Sequence, residues 1–318
     1  MDKIRVGVIG VGHLGNYHLQ KYREFPFVEV VGVCDTAGER AEKAALLHSC
    51  QACADHRDLI GSVDAVSIAV PTAAHYQVAR DFLAAGVDVL LEKPTASTVA
   101  EARELNVLAH SQGLVLQIGF VERFNPAVIA LAKVLDRPLF IEAHRLHPFF
   151  ARGTDVDVIL DLMIHDLDII LKFVKAPLID VAAVGVSVLS DRVDIANVRL
   201  TFADGCVANI TASRVTGKTM QKIRFFGMNG YHAVDFAKRE LVSLSKKTNA
   251  GNQLDIVQNP VEVKMHDPLE EEIRSFLQAV RGRTAPLVSG EDALPALEAA
   301  AKIMDKIGSG AFSPSCLA

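Results

Sequence analysis

Residues 10–15 read Gly-Val-Gly-His-Leu-Gly, directly after a β-rich apolar run at 4–9 and at the start of a helical pattern over 15–23. A G-x-G-x-x-G string alone is weak, because glycine-rich turns are common. At a strand-to-helix junction it is constraining. Gly10 permits the tight turn, Gly12 lets a pyrophosphate approach the backbone, and Gly15 lets helix and strand pack closely. A second strand, 28–34, leads to Asp35, 20 residues past Gly15. A carboxylate there accepts hydrogen bonds from adenosine ribose hydroxyls. The pattern predicts a dinucleotide site built from Gly10, Gly12, His13, Leu14, Gly15 and Asp35. Asp35 repels a 2′-phosphate, so NAD is expected over NADP, and Arg40 nearby moderates that preference.

The rest of the chain agrees with a junction of this kind. Helical patterns at 38–47, 73–85 and 99–112 alternate with strand patterns at 65–70, 87–91 and 115–119. Short apolar strands spaced by helices mean βαβ units and a parallel sheet covered on both faces. After residue 122 the rhythm changes. Helices at 126–135 and 155–174 accompany extended segments at 139–145, 181–189, 196–202, 207–213 and 222–226, with hairpin dipeptides at Asp204-Gly205 and Asn229-Gly230. Helices at 269–280 and 291–307 close the chain. The expected fold is α/β: a Rossmann dinucleotide-binding domain over 1–121, then an α+β domain over 122–318 with a mostly antiparallel open sheet and helices on one face. The C-terminal helix is a candidate to pack back on the first domain.

Composition narrows the function classes. The 318 residues suit two domains, half of them are hydrophobic, and the net charge of -5 gives no general attraction to nucleic acid or anionic membrane. Any anionic ligand must be held locally. The N-terminal apolar run is broken by Gly7, Gly10 and Gly12, unlike a secretory signal, and no apolar stretch reaches the ~20 residues of a membrane span. Five scattered cysteines suit a reducing compartment, so a cytoplasmic location is expected. Cys50 and Cys53 form one C-x-x-C without a second pair, which reads as packing, and no metal site is expected.

The chemistry is expected at strand ends and on one helix. In an open parallel sheet the carboxyl ends of the strands face the ligand crevice. Pro71, Thr72 and His75 follow the strand at 65–70 and are candidate cofactor contacts, with helix capping the alternative for Thr72. Glu92-Lys93-Pro94 follows the strand at 87–91. It brings Glu92 and Lys93 to the cofactor, with Pro94 restricting and so aiming Lys93. In the helix at 155–174, residues Asp157, Asp161, His165, Asp168 and Lys172 are spaced to share one stripe. Apart from Asp155 and Asp166, the rest of that helix is apolar. A narrow ionisable stripe on an apolar helix suggests that the stripe lines a cavity.

Together the glycine loop, Glu92-Lys93-Pro94 and the Asp161-x-x-x-His165 spacing resemble the glucose-fructose oxidoreductase, inositol dehydrogenase and rhizopine-catabolism (Gfo/Idh/MocA) family, in order and over essentially the whole chain. The resemblance implies that Lys93 and His165 are catalytic, with Asp161 orienting His165. Residues 122–127, Glu-Arg-Phe-Asn-Pro-Ala, and 160–168 resemble members that oxidise the 3-hydroxyl of UDP-N-acetylglucosamine or its uronic acid. Asp157 departs from the pattern, since many members have glycine there. A nucleotide sugar brings a diphosphate, so Arg123, Arg145, His147 and Arg152 are candidate cations, and Asn125 and Asp168 join Arg123 and Arg152 as candidate substrate-binding residues. The expected activity is NAD-dependent oxidation of a sugar CH–OH group, C3 of a UDP-N-acetylglucosamine-type substrate first. His165 is the base and Lys93 the donor that supports the developing negative charge, or Lys93 is itself the base. Lys93 and an oxidised nicotinamide should keep His165 neutral. The alternatives are a free-sugar or inositol dehydrogenase and, from another class, a non-catalytic NAD-sensing regulator, which would carry a basic recognition patch. An uncovered sheet face and the resemblance imply a homodimer or homotetramer.

Overall fold

A computed structural model describes residues 3–149, 156–248 and 254–309. The chain divides into two units, Met1–Val121 with Asp267–Leu294, and Glu122–His266 with Pro295–Ala318.

The first unit begins with β1 (Ile4–Ile9), α1 (His13–Tyr22), β2 (Val28–Cys34), α2 (Gly38–His48) and β3 (Gln51–Cys53). It continues with β4 (Ala65–Ile68), α3 (Thr72–Ala84), β5 (Asp88–Glu92), α4 (Val99–Ser111) and β6 (Leu116–Gly119). All six strands are parallel, in the order β3-β2-β1-β4-β5-β6. The strands are short apolar runs because helices cover both faces. Val6, Val8, Val33, Val66 and Leu90 have no exposed surface. The strand order reverses about β1, which opens the ligand crevice at the carboxyl ends of β1 and β4. Of these six strands, β3, three residues long, was not expected from the sequence.

The second unit carries α5 (Pro126–Leu131), β7 (Pro138–Leu146), a π turn at Ile159–Met163 and α6 (Ile164–Phe173). Then follow β8 (Leu178–Val186), β9 (Ile195–Phe202), β10 (Val207–Ser213), β11 (Met220–Gly227), β12 (Gly230–Asp235), β13 (Glu240–Thr248) and β14 (Leu254–Gln258). The order is β14-β13-β12-β11-β7-β10-β9-β8, antiparallel except where β7 runs parallel to β10. Both turn dipeptides join antiparallel neighbours, β9 to β10 and β11 to β12, and Gly205 takes the left-handed φ of 86° that the first turn needs. The apolar positions of β9 and β10 alternate inward, while Ile179, Val184 and Val186 of β8 stand exposed on the other face.

Three expectations need correction. The helix expected at 126–135 ends at Leu131. The one expected at 155–174 is not a continuous α-helix: the Ile164 N–H reaches back five residues to the Ile159 carbonyl, widening the turn that holds Asp161. The segment 267–294, expected in the second domain, belongs to the first unit. Its helix α7 (Pro268–Gly282), capped by the Asp267 side chain, buries Ile273, Phe276 and Leu277 in one core with Val8, Leu19 and Tyr22. Asp88, buried at the start of β5, ties this segment down by accepting bonds from Arg283 and the Val115 N–H. The last helix, α8 (Gly290–Ser309), starts in the first unit and continues in the second.

Candidate cofactor and catalytic sites

The glycine loop has the geometry that its three positions require. Gly10 has φ of 84°, and a Cβ there would stand 2.6 Å from the Ala69 carbonyl oxygen. A Cβ on Gly15 would stand 1.8 Å from the Gly10 carbonyl oxygen, so helix α1 lies against the turn as closely as a main chain can. Gly12 is different: a Cβ there meets nothing within 4 Å. Its outward side is open for a ligand to lie on the backbone, at the N-terminus of α1, where the free N–H groups favour an anion. These residues fit a dinucleotide pyrophosphate. Leu14 is exposed beside the loop, and His13 packs edge-on against Tyr17.

Asp35 lies at the end of β2 with little exposure, fixed by the Val11 N–H (3.0 Å) and the Ala37 N–H (2.9 Å). Arg40 reaches the same carboxylate, its Nε 3.1 Å from Oδ2. Each carboxylate oxygen has lone-pair capacity beyond these bonds, enough to accept from the hydroxyls of a ribose.

At the neighbouring strand ends the outcome is mixed. Pro71, not Thr72, occupies the N-cap of α3, so Thr72 does not cap the helix, and it is buried at the first helical position. His75 is buried, with Nδ1 2.7 Å from the Pro94 carbonyl and Nε2 2.9 Å from the Val70 carbonyl. Burial, the largest influence, pushes its pKa below the ordinary histidine value against the pull of those carbonyls. His75 therefore joins the ends of β4 and β5 from inside. The Glu92 carboxylate, expected at the cofactor, also turns inward, to His18 Nε2 (3.1 Å) and the Lys93 N–H (3.3 Å). Lys93 follows on the main chain, half-buried at the carboxyl end of β5.

In the second unit, Asp161 and His165 are both half-buried, whereas Asp166 and Asp168 are buried. Of the stripe, Asp157, Asp161, His165 and Lys172 are half-buried and Asp168 is buried. Asp168 receives a bidentate bond from Arg123, at 2.6 and 2.7 Å. Arg145 bonds Asp166 twice at 3.0 Å and Glu122 at 3.1 Å, with its guanidinium 4.8 Å over the Phe236 ring. Burial works against the Arg145 charge, but Asp166 and Glu122 outweigh it and raise its pKa. Arg123 and Arg145, expected as phosphate cations, thus spend their forks on internal carboxylates. Asn125 is equally committed: its oxygen caps α5 through the Ala127 N–H, and its amide donates to Glu122 and the Phe236 carbonyl. Asp157 accepts from the Val193 N–H at 2.9 Å, which explains a carboxylate at that position. Arg152 lies outside the described residues.

Not foreseen from the sequence are His18, the inward partner of Glu92, Ser67, which bonds His18 in turn, Glu272, whose carboxyl lies near both His18 and Glu92, and the buried pair of Arg214 with Asp194. Nothing local marks them, for each looks like a single polar residue in an element. Cys34, Cys50, Cys53 and Cys206 are free thiols, and burial pushes Cys34 up to about 12, which suits packing and not redox exchange.

A family profile described as the NAD-binding Rossmann fold of the Gfo/Idh/MocA oxidoreductases matches residues 4–120, and the corresponding C-terminal domain profile matches 135–232. The chain is 38% identical to a UDP-N-acetylglucosamine 3-dehydrogenase of Acidithiobacillus ferrooxidans, over 95% of this chain and 97% of that one. A solved structure of that enzyme superposes with a TM-score of 0.88 over 97% of this chain and 99% of the other. An inositol 2-dehydrogenase of Rhizobium meliloti is 27% identical, over 92% of this chain and 94% of its own length.

Proposed function

Because the chain belongs to the Gfo/Idh/MocA family of oxidoreductases, we propose that it oxidises the C3 hydroxyl of UDP-N-acetylglucosamine or its uronic acid to a ketone. The observation that carries the substrate is the 38% identity along nearly the full length of a UDP-N-acetylglucosamine 3-dehydrogenase. The glycine loop and Asp35 would hold NAD, which would supply the hydride acceptor. His165 takes the hydroxyl proton with Asp161 orienting it, and Lys93 supports the negative charge that develops on the oxygen. Asp35 holds the ribose hydroxyls and disfavours a 2′-phosphate, so NAD is used over NADP.

With Arg123 paired to Asp168 and Arg145 to Asp166 and Glu122, the feature that separated a nucleotide sugar from a free polyol loses its weight. That observation keeps a free-sugar or inositol dehydrogenase as the second reading. The exposed apolar residues of β8 support a homodimer or homotetramer, and the free thiols support a cytoplasmic setting. No described helix is long and apolar enough to cross a membrane.

Incubation with NAD or NADP and a panel of UDP-sugars, free sugars and inositols, followed by reduced-cofactor formation, tests the reading. Efficient turnover of a UDP-N-acetyl sugar with NAD is expected. Far better turnover of inositol or glucose than of every UDP-sugar overturns it, as does a preference for NADP.

A further inference from the structure

Behind Lys93 the first unit contains a closed polar cluster in an apolar interior. The Tyr22 hydroxyl lies 2.7 Å from Ser67 Oγ, Ser67 Oγ 3.1 Å from His18 Nδ1, and His18 Nε2 3.1 Å from Glu92 Oε1. Ser67 has one proton to give. With a neutral imidazole, Tyr22 O–H donates to Ser67, Ser67 O–H donates to His18 Nδ1, and Nε2–H donates to Glu92, so every proton points toward Glu92. The Lys93 N–H donates to its other oxygen. The Glu92 carboxyl group rests on Gly119, where a Cβ would come within 2.9 Å of its carbon and both oxygens.

Glu272, on α7, faces this cluster. It has no exposed surface, neither of its oxygens has a hydrogen-bond partner, and a carboxyl oxygen of Glu272, one of Glu92 and a ring nitrogen of His18 lie within 4.8 Å of one another. The helix is pinned there, since Gln117 donates to the Glu272 main-chain carbonyl at 2.8 Å. Among the described residues, the titratable groups facing Glu272 are His18 and Tyr22 from α1 and Glu92 from β5, with no lysine or arginine. Two ionised carboxylates in such a place, without a cation, repel each other and forgo hydration. A neutral acid avoids both costs and provides an O–H donor.

We propose that Glu272 is a positioning residue held as a carboxylic acid, whose O–H completes the set of donors around Glu92 and so fixes the main chain from which Lys93 projects. Burial, and then the neighbouring Glu92, push the Glu272 pKa well above the ordinary glutamate value, in keeping with the geometry. The protonation state does not depend on the proposed reaction, whereas the effect on Lys93 rests on it.

Infrared spectra of the full-length wild type and Glu272→Gln at neutral pH test the first part. A carboxylic acid C=O absorption is expected in the wild type and not in the variant. Its absence from the wild type overturns the proposal. So does a stoichiometric divalent metal in the purified wild type that Glu272→Gln loses, because the three groups would then be ligands. Kinetics test the second part. Glu272→Met, similar in shape but without a donor, should lower kcat roughly ten- to a hundredfold through misplacement of Lys93. NAD affinity should stay unchanged, and Glu272→Gln, which keeps a donor, should recover most of the loss. Full kcat in Glu272→Met overturns the positioning role. If Glu272→Met does not fold, Gly119→Ala displaces the Glu92 carboxyl instead, and normal kcat there has the same force. A wild type that turns over no sugar defeats the proposed reaction, while the infrared band still decides the protonation.

Discussion

Adding one methyl group at Gly15 and at Gly12 should separate the two duties of the glycine loop. At Gly15 the new Cβ falls 1.8 Å from the Gly10 carbonyl oxygen, against a floor of 3.0 Å for real contacts, so helix and turn must part by about 1.2 Å. Both obstacles are main chain and neither can rotate away. Overpacking of this kind costs roughly 1–3 kcal/mol. At 2–4 °C per kcal/mol for a domain of this size, that lowers the Tm by about 2–12 °C. NAD affinity falls as well, because the turn that shapes the site has moved. At Gly12 the new Cβ touches nothing, and only the weaker preference for alanine at an N-cap acts, about 0.5 kcal/mol. The methyl nevertheless occupies the approach to the backbone N–H groups. Gly12→Ala should therefore keep its Tm to within about 2 °C and bind NAD about ten- to a hundredfold more weakly, a loss of roughly 1.4–2.8 kcal/mol. Thermal denaturation and calorimetric titration with NAD measure both quantities on the same samples. Wild-type NAD affinity in Gly12→Ala, or equal destabilisation by the two substitutions, would refute the assignment of this loop to the pyrophosphate.

His165→Asn and Lys93→Met should each reduce turnover by about 10²- to 10⁴-fold with NAD affinity little changed. Their combined effect should be smaller than the product of the single effects, and normal turnover in both would remove them from the chemistry. Asp168→Asn leaves the buried Arg123 without its counter-charge and should cost about 3–5 kcal/mol in urea unfolding, whereas joint replacement of Arg123 and Asp168 by Met and Leu should recover most of it. Equal losses in the single and double variants would contradict that pairing. Burial alone would raise the Asp194 pKa, but bonds from Ser190, Leu189, Arg214 and Val188 hold it below the ordinary aspartate value. Its stabilisation is therefore complete above the unfolded pKa of about 3.9 and lost as pH falls below it. The urea midpoint of the wild type should drop through that window, and that of Asp194→Asn, lower at neutral pH, should drop less; identical slopes would refute it.

What the sequence determined by itself is whatever neighbours along the chain encode. The glycine loop at its strand-to-helix junction, the alternation that makes a parallel sheet and the turn dipeptides at Asp204-Gly205 and Asn229-Gly230 all act within a few residues. Period and backbone freedom are local properties. The strands β12, β13 and β14 were not legible, because β13 and the edge strand β14 are mostly exposed and need no apolar alternation, and β12 turns His232 inward beside Val234. Only the tertiary structure decided which charged residues serve ligands and which serve each other. Arg123 meets Asp168 across 45 residues, Arg145 meets Asp166 across 21, and Glu272 comes to Glu92 because α7 returns to the first core. A buried charge must find a partner wherever the fold brings one, and spacing along the chain carries no record of that partner. The same holds for the helix at 155–174, where a π turn at Ile159–Met163 interrupts the 3.6-residue period on which the stripe was drawn.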